Sequence, residues 1–125
     1  MELFDKNIQV LEKSMDMYLV RHSVIADNIA NAETPMFKAR RVEFEQELQR
    51  ASEQQDVGLG RNIASLTPTI YEDTESEVGS DLNTVDMDRE MADMTKNDLK
   101  YSAATQSISK KFALLKYAIG SEGGK

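Results

Sequence analysis

Both ends of the chain carry long stripes of mainly apolar residues that contain neither glycine nor proline. In the first stripe the spacing alternates between three and four residues, and its members are Met1, Phe4, Ile8, Leu11, Met15, Tyr18, His22, Ile25, Ile29 and Ala32. The second stripe has the same spacing and consists of Met87, Met91, Met94, Asp98, Tyr101, Thr105, Ile108, Phe112, Leu115 and Ile119. This spacing places each stripe on one face of a helix wound at about 3.5 residues per turn, which is the seam of a coiled coil.

The two stripes predict two long helices and an elongated molecule. A helix over residues 1–33 would be roughly 50 Å long, and one over residues 84–120 would be slightly longer. A compact domain of this size has a radius of gyration of only about 14 Å, so such helices do not fit inside it. We therefore predict a mostly α fold, an antiparallel coiled coil of an N-terminal helix (1–33) and a C-terminal helix (84–120), joined by a small, irregular and mobile middle segment (34–83).

Local signals set the expected boundaries of these elements. Pro35 cannot donate to a helical ladder, and it ends the first helix. Within the middle segment, residues 42–51 fit one short amphipathic helix, and residues 67–71 fit one short strand. Asn83 and Thr84 are favourable N-cap residues for the second long helix.

The alternating spacing allows two antiparallel registers of the long helices. The preferred register places Phe4 beside Ile119, Leu11 beside Phe112, and His22 beside Tyr101, because it covers both Phe4 and Ile119. The second register lies one seam step away and places Met1 beside Leu115 and Tyr18 beside Asp98. Two polar seam residues, Asp98 and Thr105, either fix the register and the number of partners or lie where the seam meets water.

The N-terminal helix carries a second apolar line away from the seam. Its members recur every seven residues and are Leu3, Val10, Met17 and Val24. Single exposed apolar residues are common on protein surfaces, so a scattered surface pattern is one interpretation. Full burial of each residue would contribute about 1.5–3 kcal/mol, which makes a regular exposed line costly. The periodicity favours several neighbours for each helix, and hence an assembly.

Composition excludes several classes of protein. The 125 residues carry a formal net charge of −7, whereas a nucleic-acid-binding protein needs a basic surface. The basic group formed by Lys38, Arg40 and Arg41 is either a solvated loop cluster or a functional patch. The sequence contains no cysteine, no signal-peptide pattern at its start, and no apolar stretch long enough to insert into a membrane.

The polar residues do not form a catalytic or metal-binding pattern. The only histidine, His22, lies in a seam position and is interpreted as a packing residue. Asp86, Asp88 and Glu90 have the spacing of a calcium-loop start, but Met91 stands where the loop needs glycine. Acidic residues there suit the positive end of a helix dipole. We predict no enzyme activity, no cofactor or metal, and no small-molecule substrate.

Two sequence motifs at opposite ends of the chain resemble those of the bacterial flagellar rod, hook and hook-associated proteins. The first runs from Asn28 to Lys38, and the second from Asn83 to Tyr101; about the first 45 and the last 43 residues share the resemblance. The motif residues are Asn28, Asn31, Thr34, Pro35, Lys38, Val85, Asp86, Glu90, Met91 and Tyr101. The family usually has glycine where Met36 stands, so Met36 favours a type I turn over a type II turn.

The resemblance implies a structural rod subunit that is needed for motility and that joins the basal-body ring to the distal rod and hook. Its implied partners are copies of itself, other rod proteins, the ring with its rod-adaptor protein, and the flagellar export gate. It implies a location in the periplasmic rod after synthesis in the cytoplasm and export through the flagellar type III apparatus, without a cleaved signal peptide. Phe44 and Leu48 resemble the pattern that the export gate reads. The alternative is a cytoplasmic coiled-coil adaptor or export chaperone.

Overall fold

The computed structural model describes residues 2–53 and 63–122, with side chains described for residues 6–53 and 63–120. Within these ranges three helices span Glu2–Ala30 (α1), Glu45–Glu53 (α2) and Met87–Glu122 (α3), and a 3-10 turn spans Ile63–Ser65. Two strands, Arg40–Glu43 (β1) and Thr69–Glu72 (β2), form one antiparallel sheet. None of the helices in the described part of the chain has the length and apolar character that crossing a membrane requires.

The two long helices α1 and α3 pack antiparallel, as the stripes predict. With 29 and 36 residues they are about 44 Å and 54 Å long. Contacts between them join positions late in α1 to positions early in α3. Asn28 meets Glu90, His22 meets Asp98, and the Asn97 side chain donates to the Tyr18 carbonyl. The predicted antiparallel pair with a small middle segment is therefore confirmed.

The observed register differs from the preferred one. His22 Nδ1 lies 3.1 Å from Asp98 Oδ1, three residues from the preferred partner Tyr101. The Tyr18 carbonyl accepts from Asn97, one residue from its partner in the second register. Phe4 belongs to α1, but its side chain lies outside the described residues, so the contact that motivated the preferred register is not described. The pairing is closer to the second register.

Burial along the seam is uneven. Ile25 on α1 is buried and Met94 on α3 is half-buried, whereas Met87 and Met91 at the start of α3 are exposed. Toward the end of α3 the cover fades: Leu115 is half-buried, while Phe112 and Ile119 are 51% and 70% exposed. The chain therefore covers its seam only in part, and the most exposed of the described seam residues, Ile119, lies at the end of α3.

The second apolar line of α1 is buried inside the chain, which corrects the inference that it requires an assembly. Met17 and Val24 are buried, and Val10 packs against them at the edge of the same cluster. The middle segment covers them with a set of apolar residues: Val42, Phe44, Leu48, Ala51, Ile63 and Leu66. The inference was wrong because it did not place the apolar face of the middle segment against this line of α1. Leu3 belongs to the same line, but its side chain lies outside the described residues.

The middle segment is more regular than the sequence predicts. The strand expected over residues 67–71 is present as β2, which begins two residues later and ends one residue later. The helix expected over residues 42–51 begins only at Glu45, and Val42 belongs to β1 instead. Val42 and Phe44 are two residues apart, which is the spacing of one face of a strand, and Val42 pairs with Ile70 of β2. Within this core the rings of Phe44 and Tyr18 meet edge to face at 5.4 Å.

The turn after α1 also differs from expectation. The Phe37 N–H donates to the Thr34 carbonyl over 3.3 Å, which closes a four-residue turn. Met36 has a φ of 62° at the third position of this turn, where a type II turn needs a positive φ. The expected type I turn is wrong: Met36 adopts the left-handed conformation that glycine would adopt without strain. The Met36 N–H donates to the Asp81 carbonyl over 2.9 Å, and this bond holds the conformation.

Replacement of Met36 by glycine is expected to stabilise the protein. The left-handed conformation costs an ordinary residue about 1–2 kcal/mol, and the Met36 side chain is 67% exposed, so little packing is lost. Because glycine also has more freedom in the unfolded chain, the net gain in the free energy of unfolding should be about 1 kcal/mol. Met91→Gly is the matched control, because Met91 is also exposed but lies inside α3. It should lose about 1 kcal/mol. Equal destabilisation by both variants in urea unfolding would contradict the assignment of the turn.

Candidate functional site

The two motifs from opposite ends of the chain meet where α1 ends and α3 begins. Glu90 on α3 is the centre of this region, and its side chain is completely buried. Arg41 Nη1 lies 2.5 Å from one carboxylate oxygen, and Asn28 Nδ2 donates to the other over 3.1 Å. We call Asn28, Arg41, Asp73 and Glu90 the clasp, because they tie α1, both strands and α3 together.

Asn28 fastens α1 to the outer edge of β1. Its Nδ2 donates to the Arg40 carbonyl over 2.9 Å, and its Oδ1 accepts from the Arg40 N–H over 3.0 Å. The Asn28 amide therefore forms the two hydrogen bonds that a neighbouring strand would form with the backbone of Arg40. The same amide also reaches Glu90, so the position of α3 depends on the fit of α1 against the sheet.

Arg41 extends from β1 and is buried, which corrects its interpretation as part of a solvated basic cluster. It pairs with Glu90, and its Nε donates to Asp73 Oδ2 over 3.1 Å. Burial alone would lower the pKa of the Arg41 guanidinium, but the charge and hydrogen bond of Glu90, together with Asp73, raise it. Arg41 is therefore a fixed internal cation. The other two members of the basic group behave differently: Arg40 pairs with Asp27 at the surface, and Lys38 Nζ donates to the Leu82 carbonyl.

Asp73 follows β2 and is the second buried carboxylate of the clasp. Its oxygens accept from the Ser76 hydroxyl over 2.6 Å and from the Glu75 N–H over 3.0 Å. Arg89 Nη1 also lies 3.0 Å away. Burial would raise the pKa of the Asp73 carboxyl, but these hydrogen bonds and the Arg41 charge hold it well below its ordinary value of 3.8. The carboxylate is charged at neutral pH and holds the loop after β2 against α3.

A second set of bonds joins the turn after α1 to the segment before α3. Asn83 Nδ2 donates to the carbonyls of Asn31 and Thr34, over 2.8 and 2.7 Å. The Thr84 hydroxyl accepts from the Ala39 N–H over 2.8 Å. The sequence predicts Asn83 and Thr84 as N-cap residues of α3, and this is wrong. Asp86 caps α3 instead, since its Oδ1 accepts from the N–H groups of the second and third residues that follow it.

The motif residues thus divide into two groups. Asn28, Asn31, Thr34, Lys38, Asp86 and Glu90 all take part in the hydrogen bonds of this junction. Pro35 and Met91 are exposed, while Val85 and Tyr101 are half-buried. Sequence reasoning missed Arg41 and Asp73 as buried partners. An arginine in a basic group and an aspartate in an acidic run carry no sequence sign of burial, because burial depends on pairing across the fold.

The chemistry of the junction is structural. Its carboxylates are held by arginine and amide groups, and among the described residues no three His, Cys, Asp or Glu side chains are placed to hold a metal ion. His22 and Asp98 meet at the surface of the helix pair, where both are about half exposed. Beside the clasp lies a cleft of about 330 Å³ between α1, α3 and β1. Two buried atoms without a partner among the described residues, Arg41 Nη2 and Asn97 Oδ1, belong to residues that line it.

The clasp should make stability dependent on acid pH through Asp73. A carboxyl whose pKa is depressed in the folded state contributes stability above its ordinary pKa, and this contribution is lost as the pH falls through the folded value. Asp73→Asn should therefore lower the free energy of unfolding by about 2 kcal/mol at pH 7, and the difference should shrink below about pH 4. Urea unfolding at several pH values measures this. Asp16→Asn, at an exposed position on α1, is the control and should change little. A deficit for Asp73→Asn that stays constant down to about pH 2 would contradict the assignment.

Comparison with known proteins gives the family of this chain. No family model matches it. The chain is 33% identical over 120 residues to the flagellar basal body rod protein FlgB of Borrelia hermsii, which covers 84% of this chain and 89% of that protein. It is 32% identical over 127 residues to FlgB of Aeromonas hydrophila, covering 95% and 96% of the two chains. It is 30% identical over 138 residues to FlgB of Bacillus subtilis, over the full length of both.

These similarities extend through both helices, the clasp and the middle segment, and they agree with the resemblance of the two terminal motifs. The chain belongs to the FlgB family of flagellar basal body rod proteins.

Proposed function

We propose that this protein is a structural subunit of the flagellar basal-body rod and that its subunits assemble through the seam residues that stay exposed near the end of α3. The observation that carries the proposal is the uneven seam. Phe112 and Ile119 keep the seam spacing, yet half or more of each side chain is exposed in the single chain. Burial of one such side chain contributes about 1.5–3 kcal/mol, and in a polymer this gain recurs in every subunit.

The assembly surface that we propose comprises seam residues of both helices. Those on α1 are Phe4, Ile8, Leu11, Met15, Tyr18, Ile25 and Ile29, and those on α3 are Met94, Ile108, Phe112, Leu115 and Ile119. In the single chain Ile25 is buried and contributes to the fold. Phe112 and Ile119, toward the end of α3, are exposed, and we propose that a partner subunit covers them. The partners that fit are further copies of the chain, other rod proteins, and the basal-body ring with its rod-adaptor protein.

The remaining parts of the proposal concern where the subunit is made, how it is exported and where it is located in the cell envelope. The subunit would be made in the cytoplasm, pass through the flagellar type III apparatus without a cleaved signal peptide, and join the ring to the distal rod and hook in the periplasm. Motility would depend on it. Membership of the FlgB family argues against the cytoplasmic adaptor or export chaperone alternative.

Export would also use Phe44 and Leu48, if they form the pattern that the export gate reads. Both side chains are buried in the core of the folded chain, where Phe44 also lies 4.6 Å below the Arg21 guanidinium. A gate would therefore contact them only in an unfolded chain. We therefore propose that the export gate reads these two side chains in the unfolded chain, and that folding buries them after export.

Charge at the open end of the seam should block assembly and leave the fold intact. Phe112→Asp removes an exposed ring and adds a charge that a packed interface would have to desolvate, at a cost of several kcal/mol. The purified variant should keep the helix content of the wild type and its free energy of unfolding within about 0.5 kcal/mol. Cells that carry only this variant should lack hooks, and the protein should be absent from detergent-resistant basal bodies.

Two controls show what a loss of assembly would mean. One tests whether a charge anywhere on α3 blocks assembly, and the other shows the effect of a variant that misfolds. Ser107→Asp adds the same charge to an exposed position of α3 away from the seam, and such cells should swim normally. Ile25→Asp places a charge at a buried position and should unfold the purified chain as well. Normal hooks with Phe112→Asp, or their loss with Ser107→Asp, would show that the assembly surface lies elsewhere.

A further inference from the structure

The two-stranded sheet has two outer edges, and within residues 2–53 and 63–122 only one of them is closed. In the antiparallel register Arg40 faces Glu72 and Val42 faces Ile70. The Asp73 N–H donates to the Ala39 carbonyl, which makes these two pairs the ones without mutual hydrogen bonds. The backbone groups of Arg40 and Val42 therefore point away from β2, and those of Ile70 and Glu72 point away from β1.

Side chains of α1 close the outer edge of β1. Asn28 accepts from the Arg40 N–H and donates to the Arg40 carbonyl, and Arg21 Nη2 donates to the Val42 carbonyl over 2.8 Å. On the outer edge of β2, the N–H and C=O groups of Ile70 and Glu72 find no hydrogen-bond partner within the described ranges 2–53 and 63–122. An unpaired strand edge is a template for another strand, and most proteins cover or disrupt it.

The open edge combines apolar and acidic character. All four residues of β2 are exposed, including Ile70 at 46% and Tyr71 at 41%. Residues 62–88 contain seven acidic side chains and no lysine or arginine, whereas the rest of the chain carries fifteen of each sign. The whole net charge of the protein therefore lies in the segment that contains β2.

This charge selects the occupant of the edge. Within the part of the chain that the structure describes, Glu72, Glu75 and Glu77 form no ion pair. A second copy of β2 would bring an equally acidic strand alongside, and like charges directly opposite each other destabilise a sheet. An extended segment with lysine or arginine would instead gain favourable charge pairs together with the backbone bonds.

We infer that the outer edge of β2 is a docking site for an extended, basic segment of a different protein, which adds to the sheet as a third strand. The backbone groups of Ile70 and Glu72 supply the hydrogen bonds, and the neighbouring acidic side chains select a basic partner. This surface is separate from the seam of the helix pair.

A synthetic hexapeptide of alternating lysine and valine tests the docking site on the full-length protein. Backbone amide signals of Ile70 and Glu72 should shift on titration and gain protection from hydrogen exchange, and the affinity should fall as salt is added. A hexapeptide of alternating glutamate and valine should not bind. Equal binding of the two peptides, or protection confined to residues outside β2, would overturn the inference.

A proline variant separates strand addition from charge attraction alone. Ile70→Pro removes the outward N–H and leaves the ladder to β1 intact, because that N–H does not face β1. Its affinity for the basic peptide should fall about tenfold or more, relative to the control Ile70→Ala, which keeps the N–H. Glu72→Pro repeats the test at the second outward position should Ile70→Pro fail to fold. Unchanged affinity in a folded proline variant, or association of the protein with itself through β2, would contradict the inference.

Discussion

The fold depends on one buried carboxylate. Glu90 is completely removed from water, and an isolated charge in that position would cost several kcal/mol. Arg41 and Asn28 supply the opposite charge and the hydrogen bond that make its burial possible, and they come from β1 and α1. The position of α3 therefore depends on both α1 and the sheet. This dependence explains why two motifs so far apart in the sequence belong to one structural unit.

The clasp also marks one end of α3, and the surroundings of the two ends differ. Around it, polar groups of both ends are paired, and the middle segment buries the second apolar line of α1. Away from it, the end of α3 keeps Phe112 and Ile119 exposed. A rod subunit needs this combination: a fixed angle between its helices, set within the chain, and an apolar surface that only neighbouring subunits can cover. The clasp fixes the helices relative to each other, and the exposed seam residues at the end of α3 provide the apolar surface.

The long helices could be predicted from the sequence because heptad spacing is a local property that many residues repeat. The register could not, because the polar residues that set it, Asn97 and Asp98, act through partners on the other helix. The secondary structure around Val42 could not be predicted either, because the strand that it forms depends on its pairing with β2. Arg41 shows the same limit: nothing near it in sequence indicates that Glu90 and Asp73 bury it. Met36 is the opposite case, in which residue preference suggested one turn and a backbone bond to Asp81 imposed another.

The most direct test of this account is a double-mutant cycle on the ion pair of the clasp. Arg41→Met leaves the buried Glu90 without an opposite charge, so it should lower the free energy of unfolding by about 3–5 kcal/mol. Glu90→Leu should cost less, because Arg41 keeps its ion pair with Asp73. The double variant removes both charges, and it should be more stable than the sum of the single losses predicts, by about 2 kcal/mol or more. Urea unfolding of the four proteins measures this coupling. Losses that add to within about 0.5 kcal/mol would show that Arg41 and Glu90 act independently, and the clasp would not be the interaction that joins the two ends of the chain.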